Sequence, residues 1–172
     1  MKLKKEFTLL EIRTRTHSKF TDFCYYWLPP LALTLGIIAF AGDLGSVQNF
    51  RLSIYLLKLL LPHYPAAEIY RLSMILRKVG HFLAYGILCW SYLRAFYHHW
   101  HRSMWSSLGL ALLICLLVAM ADEGRQAFYT SRNGSPVDIL LDLSGAVTAG
   151  FFWLGLQFLR RCFHLRLHNH GP

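Results

Sequence analysis

Four carboxylates of this chain, Asp122, Glu123, Asp138 and Asp142, fall at the ends of two apolar runs that flank the segment 121–138. Upstream, Lys78, His81 and Tyr85 are spaced three and four apart, with Arg77 beside the first of them, so a helix carrying them would present one face bearing a cation, an imidazole and a phenol. Glu123 and Gln126 are three apart and would project together, with Asp122 on another side of the same helix. Asp138 and Asp142 are four apart, and Gly145 and Ala149 extend their face. These types suit two kinds of chemistry. Arg77, Lys78, Arg125 and Arg132 are donors for phosphate or carboxylate groups, and His81, Glu123 and Asp138 are candidates for proton transfer. Tyr85, Asp122, Gln126 and Asp142 complete the binding side of the candidate site. The pair Arg132 and Asp138 would tie the intervening turn to the helix that follows.

Such groups need scaffolding, because ionisable side chains at a hydrocarbon edge are costly and usually face a bundle interior, pair with one another or mark a site. The scaffold is legible in the apolar pattern. Among 172 residues, 55% are apolar, and they are blocked into runs at Leu28 to Ala41, Val79 to Tyr97, Met104 to Ala121 and Val137 to Leu159. Each approaches the roughly 20 residues that a helix needs to cross a bilayer. The reading is an all-α, integral membrane four-helix bundle. The segment Phe50 to Leu61, of about 12 residues and interrupted by Arg51 and Lys58, is too short to cross and reads as an interfacial or re-entrant helix, or as a loop packed on the bundle, between spans 1 and 2. Pro62 and Pro65 end it, and Ala66 to Lys78 forms a helical lead-in to span 2. Pro29 and Pro30 suit the first turn of span 1, Pro136 suits the first turn of span 4, and Tyr25, Tyr26 and Trp27 suit an interfacial aromatic belt.

The motifs Arg77-Lys78-x-x-His81-Phe82-x-x-Tyr85, Asp122-Glu123-x-x-Gln126-x-Phe128, Arg132, Asp138 and Gly145, in this order and spacing, resemble the signature of the VanZ-like family of bacterial membrane proteins, over about residues 24 to 160. The chain departs from that pattern at Thr130, where a Pro is usual, and at Asp142, where an Asn is usual. The resemblance implies a membrane protein of the cell envelope in a family associated with resistance to the glycopeptide antibiotic teicoplanin. The domain organisation is then a basic N-terminal segment over 1–23, the four-span domain over 24–160 and a basic tail over 161–172.

With 18 Lys and Arg against 9 Asp and Glu, the net charge is +9. The basic residues flank apolar spans and do not interleave with exposed aromatics, which argues against a nucleic-acid surface. Four spans put both termini on one side with the His98 to Arg102 turn. Eleven Lys and Arg fall on that side, at 2, 4, 5, 13, 15, 19, 94, 102, 160, 161 and 166, against seven on the other, at 51, 58, 71, 77, 78, 125 and 132. Positive charge near span ends is retained in the cytoplasm, so the termini are expected to be cytoplasmic, in the bacterial inner membrane, with the charged site facing outward.

No nucleophile elbow, glycine-rich phosphate loop, His-x-x-x-His or Cys-x-x-Cys pattern is present. No metal ligand and no cofactor are assigned on sequence, since carboxylates and His81 come from separated elements and no spacing joins them. Cys24, Cys89, Cys115 and Cys162 are assigned to packing. Three roles stand open for the cluster: binding or modifying an anionic envelope molecule, binding a lipid-linked precursor or glycopeptide without chemistry, and a structural salt-bridge network in a scaffold. The expected partners are membrane lipids, with the precursor or glycopeptide as candidate ligands. Whether a reaction is catalysed is left open.

Overall fold

The computed structural model describes the backbone of residues 2–40, 43–127 and 136–168, and the side chains of 19–39, 50–124, 136–160 and Cys162. Five α-helices follow one another: α1 (Lys2–Phe40), α2 (Asp43–Leu60), α3 (Ala66–Arg94), α4 (Met104–Ala127) and α5 (Pro136–His168). A π-helical turn, Ala95–His99, continues α3. No strand occurs among the described residues. Four helical stretches are long and apolar enough to cross a bilayer: Lys19–Ala39, Ala66–His99, Met104–Gly124 and Pro136–Arg160. The four-span reading therefore holds, and α2 is the short helix between the first two spans. It is longer than the apolar run suggested because the polar stretch from Asp43 to Asn49 is helical too.

Local chemistry explains most boundaries. Pro62 and Pro65 separate α2 from α3, since proline offers no N–H to continue a helix. Ser103 caps α4: its Oγ accepts the Ser106 backbone N–H at 3.2 Å, satisfying a donor that the first turn would otherwise leave open. Pro136 opens α5, as its position in the sequence suggests, and Asp138 lies in that first turn, favourably placed against the helix dipole.

Pro29 and Pro30 are a correction. They lie well inside α1 and not in a first turn, because the helix begins far upstream at Lys2. Pro29 cannot donate to the Tyr25 carbonyl four residues back, and that oxygen instead accepts from the Arg94 guanidinium of α3. The same guanidinium lies 4.4 Å from the centroid of the Tyr25 ring and 5.3 Å from that of Tyr26. A helix defect on α1 is thus repaired from α3.

Trp27 likewise departs from a lipid-facing belt. It is buried, donates its indole N–H to His99 Nδ1 at 3.1 Å, and packs edge-on against Phe96 at 5.4 Å. These contacts fasten α1 to the turn after α3. Tyr25 does stay exposed. Cys89 and Cys115 are buried against each other as packing groups, whereas Cys162 is exposed.

The most extensive packing joins α3 to α5, with α4 against both. Small residues make it close. A Cβ added to Gly86 would lie 3.3 Å from the Gly145 carbonyl oxygen and 3.6 Å from Ala149, and one added to Gly145 would overlap the Phe82 carbonyl. The Gly145 and Ala149 face of α5 thus points inward, as the four-residue spacing predicts. On the outer side of α3, α2 is held by the Ser53 and Ser73 hydroxyls and by Phe50 edge-on to Tyr70 at 5.3 Å.

Candidate functional site

Along α3 the Lys78, His81, Tyr85 face runs from surface to core. Lys78 is exposed, the His81 side chain keeps 30% of its surface, and Tyr85 keeps 1%. Helical phase alone gives this gradient, because each step of three or four residues carries the face one turn deeper beside α5. Across from it, Asp138 is half-buried and Asp142 is fully buried, one turn further along.

The outer half of this face lines a cavity of about 50 Å³, bounded by Met74, Arg77, Lys78, His81, Asp138 and Leu141. That volume admits a few waters or one small charged group and is well below the space a whole drug-sized ligand fills. Among the described residues neither Arg77 nor Lys78 has an ion-pair partner, although Asp138 shares the cavity wall. The mouth is therefore mostly apolar in its lining, cationic on balance through Arg77 and Lys78, and of headgroup size.

Beneath it, His81 Nδ1 lies 3.3 Å from Asp142 Oδ1. The contact is close enough for an ion pair without the geometry of a hydrogen bond, so both Asp142 oxygens are without a hydrogen-bond partner among the described residues. Asp122, 2% exposed on α4, completes a trio: one ligand-type atom from each of His81, Asp122 and Asp142 falls within 4.8 Å of the others. With Nδ1 turned to Asp142, Nε2 is the nitrogen left to serve the cavity. A histidine held beside a carboxylate by charge, on the wall of a cavity, has the chemistry for proton exchange.

The structure thus brings together Arg77, Lys78, His81 and Asp138 at the mouth and His81, Tyr85, Asp122 and Asp142 below. Glu123 is also buried, at 5% exposure, but it stands outside the trio. The sequence places both Glu123 and Asp122 in the candidate site, on different sides of α4. Both are covered, and it is Asp122 whose phase on α4 meets the junction of α3 and α5. Arg125 and Gln126 lie on the last turn of α4 with side chains outside the described residues. Arg132, its expected pairing with Asp138, and Thr130 fall outside them altogether.

Two wall residues were missed in the sequence. Met74 is four residues before Lys78 and Leu141 three after Asp138, so helical spacing already placed them on the two faces; their apolar side chains carried no chemical signal. The Asp122 contact had no such signal, because it depends on the relative rotation of three helices.

Comparison with curated proteins and with solved structures gives no match. A sequence model of one family, described as VanZ/LLP1, matches residues 23–159. That interval begins four residues into span 1 and ends one residue short of the end of span 4, so it contains spans 2 and 3, nearly all of the other two, the cavity and the trio beneath it. This chain belongs to the VanZ/LLP1 family.

Proposed function

We propose that the cavity binds the anionic headgroup of a cell-envelope molecule at the outer face of the bacterial inner membrane. The observation that carries this reading is the pair Arg77 and Lys78, cations without a carboxylate partner among the described residues, on the wall of a headgroup-sized cavity at a span end. Cations left unpaired at such a boundary are available to phosphate or carboxylate groups. The outward direction follows from the excess of Lys and Arg on the side of the termini. A lipid-linked envelope precursor has the required shape, with its chain in the bilayer and its phosphate at the cavity. Glycopeptide (teicoplanin) resistance would follow from holding such a precursor or the antibiotic's own carboxylate. His81, oriented by Asp142, would act as acid or base if binding leads to reaction.

A second reading, a structural network in a membrane scaffold, rests on the fully buried Asp142 beside His81. The two are separated by retention of a polyprenyl phosphate on the purified protein in detergent, with the uncharged polyprenol as control. Wild type should hold the phosphate at least about tenfold better than the alcohol, the scale of one or two charge-assisted contacts. The double variant Arg77→Gln, Lys78→Gln should lose that preference while keeping its melting temperature. Equal retention of both lipids by wild type would refute headgroup binding.

A further inference from the structure

We infer that His81, Asp122 and Asp142 form a binding site for one divalent first-row cation of the Zn²⁺ or Mn²⁺ class, fastening α3, α4 and α5 together beneath the cavity. Three observations carry this. One nitrogen of His81 and one oxygen from each carboxylate lie within 4.8 Å of one another. One edge, His81 Nδ1 to Asp142 Oδ1 at 3.3 Å, matches the roughly 3.4 Å expected between two ligands about 2.0–2.2 Å from one tetrahedral ion. The other two edges are no longer than 4.8 Å.

The second observation is independent of those distances. Asp142 is fully buried, yet neither oxygen has a hydrogen-bond partner among the described residues. Native structures rarely leave a buried carboxylate so, and those that do call for an ion, a water or a proton. The third is Tyr85, one turn from His81 on the same face, whose buried hydroxyl is also without a hydrogen-bond partner among the described residues. A hydroxyl beside a metal-bound carboxylate has an acceptor or an ion-bound water within reach.

The donor set selects the ion. One imidazole with two carboxylates is harder than the thiolate sites of Cu(I) and softer than the all-oxygen sites of Ca²⁺ and Mg²⁺. Charge agrees: two carboxylates and a neutral imidazole around a divalent cation sum to zero, the state cheapest to hold between membrane helices. With three protein ligands, a fourth position stays free for water or for an oxygen of whatever enters the cavity. The site is independent of the ligand proposed for the mouth, since its residues would hold the ion with or without it.

The test uses the full chain in detergent, stripped with a chelator, desalted, and reloaded with ZnCl₂ or MnCl₂. Metal retained after a second desalting is counted by mass spectrometry, and the melting temperature is followed by tryptophan fluorescence. One equivalent of at least one ion should be retained, with a rise of about 5–10 °C at a hundredfold excess over Kd. Asp142→Asn, which keeps the shape and removes the buried charge, and His81→Ala should each retain under about a tenth of an equivalent and show no rise. The control His168→Ala, His170→Ala removes histidines of the tail and should bind as wild type does. Binding confined to the tail histidines, undiminished binding by either folded site variant, or no retained equivalent of either ion in wild type would each overturn the site. Should neither site variant fold, the tail control decides alone: one equivalent with the rise supports the site, and its loss there rejects it.

Discussion

Replacing Gly145 by Ala should damage the fold and the site together, against the usual direction of such a change. In a helix interior Ala is favoured over Gly by about 1 kcal/mol, so a position with free space should gain. At Gly145 the added Cβ would lie 2.8 Å from the Phe82 carbonyl carbon and 3.0 Å from its Cα, and closer still to its oxygen. Carbon atoms settle at roughly 3.5–4.0 Å, so α3 and α5 would have to part by at least about half an ångström. The obstacle is backbone, which has no rotamer to escape into. Overpacking costs about 1–3 kcal/mol and sometimes more, and against an unyielding backbone the upper end, about 2–3 kcal/mol, applies, which outweighs the propensity gain and leaves a net loss of about 1–2 kcal/mol. For a chain of this length that corresponds to a fall of roughly 3–8 °C in melting temperature. Asp142 is three residues before Gly145 on α5, so the same separation stretches its 3.3 Å contact with His81. Thermal unfolding in detergent, followed by tryptophan fluorescence, measures the fall, and Gly80→Ala, which meets nothing within 4 Å, supplies the contrast with an expected small gain. A Gly145→Ala protein as stable as wild type would refute the close approach of α3 and α5 on which the site geometry depends.

Arg94→Ala should cost about 1.5–3 kcal/mol, because it strands the Tyr25 carbonyl that Pro29 leaves open; in a Pro29→Ala background, where the N–H is restored, less than half of that should remain, as a double-mutant cycle of thermal stabilities would read. Ser73→Ala should loosen α2 by about 1 kcal/mol, since it removes the hydroxyl that ties α3 to Ser53 while Ser53 keeps its bond to the Phe50 carbonyl, and the double change Ser53→Ala, Ser73→Ala should cost little more than the single one; fully additive losses would contradict that pairing. A His101→Cys protein lacking Cys24 and Cys162 should resist membrane-impermeant thiol reagents in intact cells, as a cytoplasmic turn requires; external labelling would reverse the orientation and move the cavity to the inner face.

What could be read in advance followed from the kind of signal each feature carries. The spans were legible because a bilayer demands about 20 apolar residues from any helix that crosses it, and the Lys78, His81, Tyr85 face because helical phase is local. Gly145 and Ala149 announced an inward face because small residues there serve backbone approach. The prolines of α1 misled, since Pro29 was read by the rule for helix starts while its compensation came from Arg94, 65 residues later in the chain. Trp27 misled similarly: an aromatic beside a span suits a lipid boundary, and only tertiary packing against Phe96 and His99 removes it from one. That Asp122 and not Glu123 joins His81 and Asp142 has the same origin. Adjacent residues on a helix differ by about 100° in direction, and which one meets the neighbours depends on the rotation of α4 against α3 and α5. No single stretch of sequence encodes that rotation.

The central claim is that the cavity attracts an anion, and it is tested most directly by taking away the negative charge on the cavity wall. Most damaging substitutions weaken binding whatever their cause, so a loss is weak testimony; a gain is hard to produce by damage. Asp138 lines the cavity with Arg77, Lys78 and His81. In the binding account it repels an anionic headgroup by about 1 kcal/mol in a largely solvated site, so Asp138→Asn should tighten retention of a polyprenyl phosphate about three- to tenfold, with the melting temperature little changed. Measuring that affinity and the melting temperature on the same preparations gives the answer. A lower melting temperature with unchanged or weaker retention would mean that Asp138 belongs to a structural network, and the anion-binding account would be wrong.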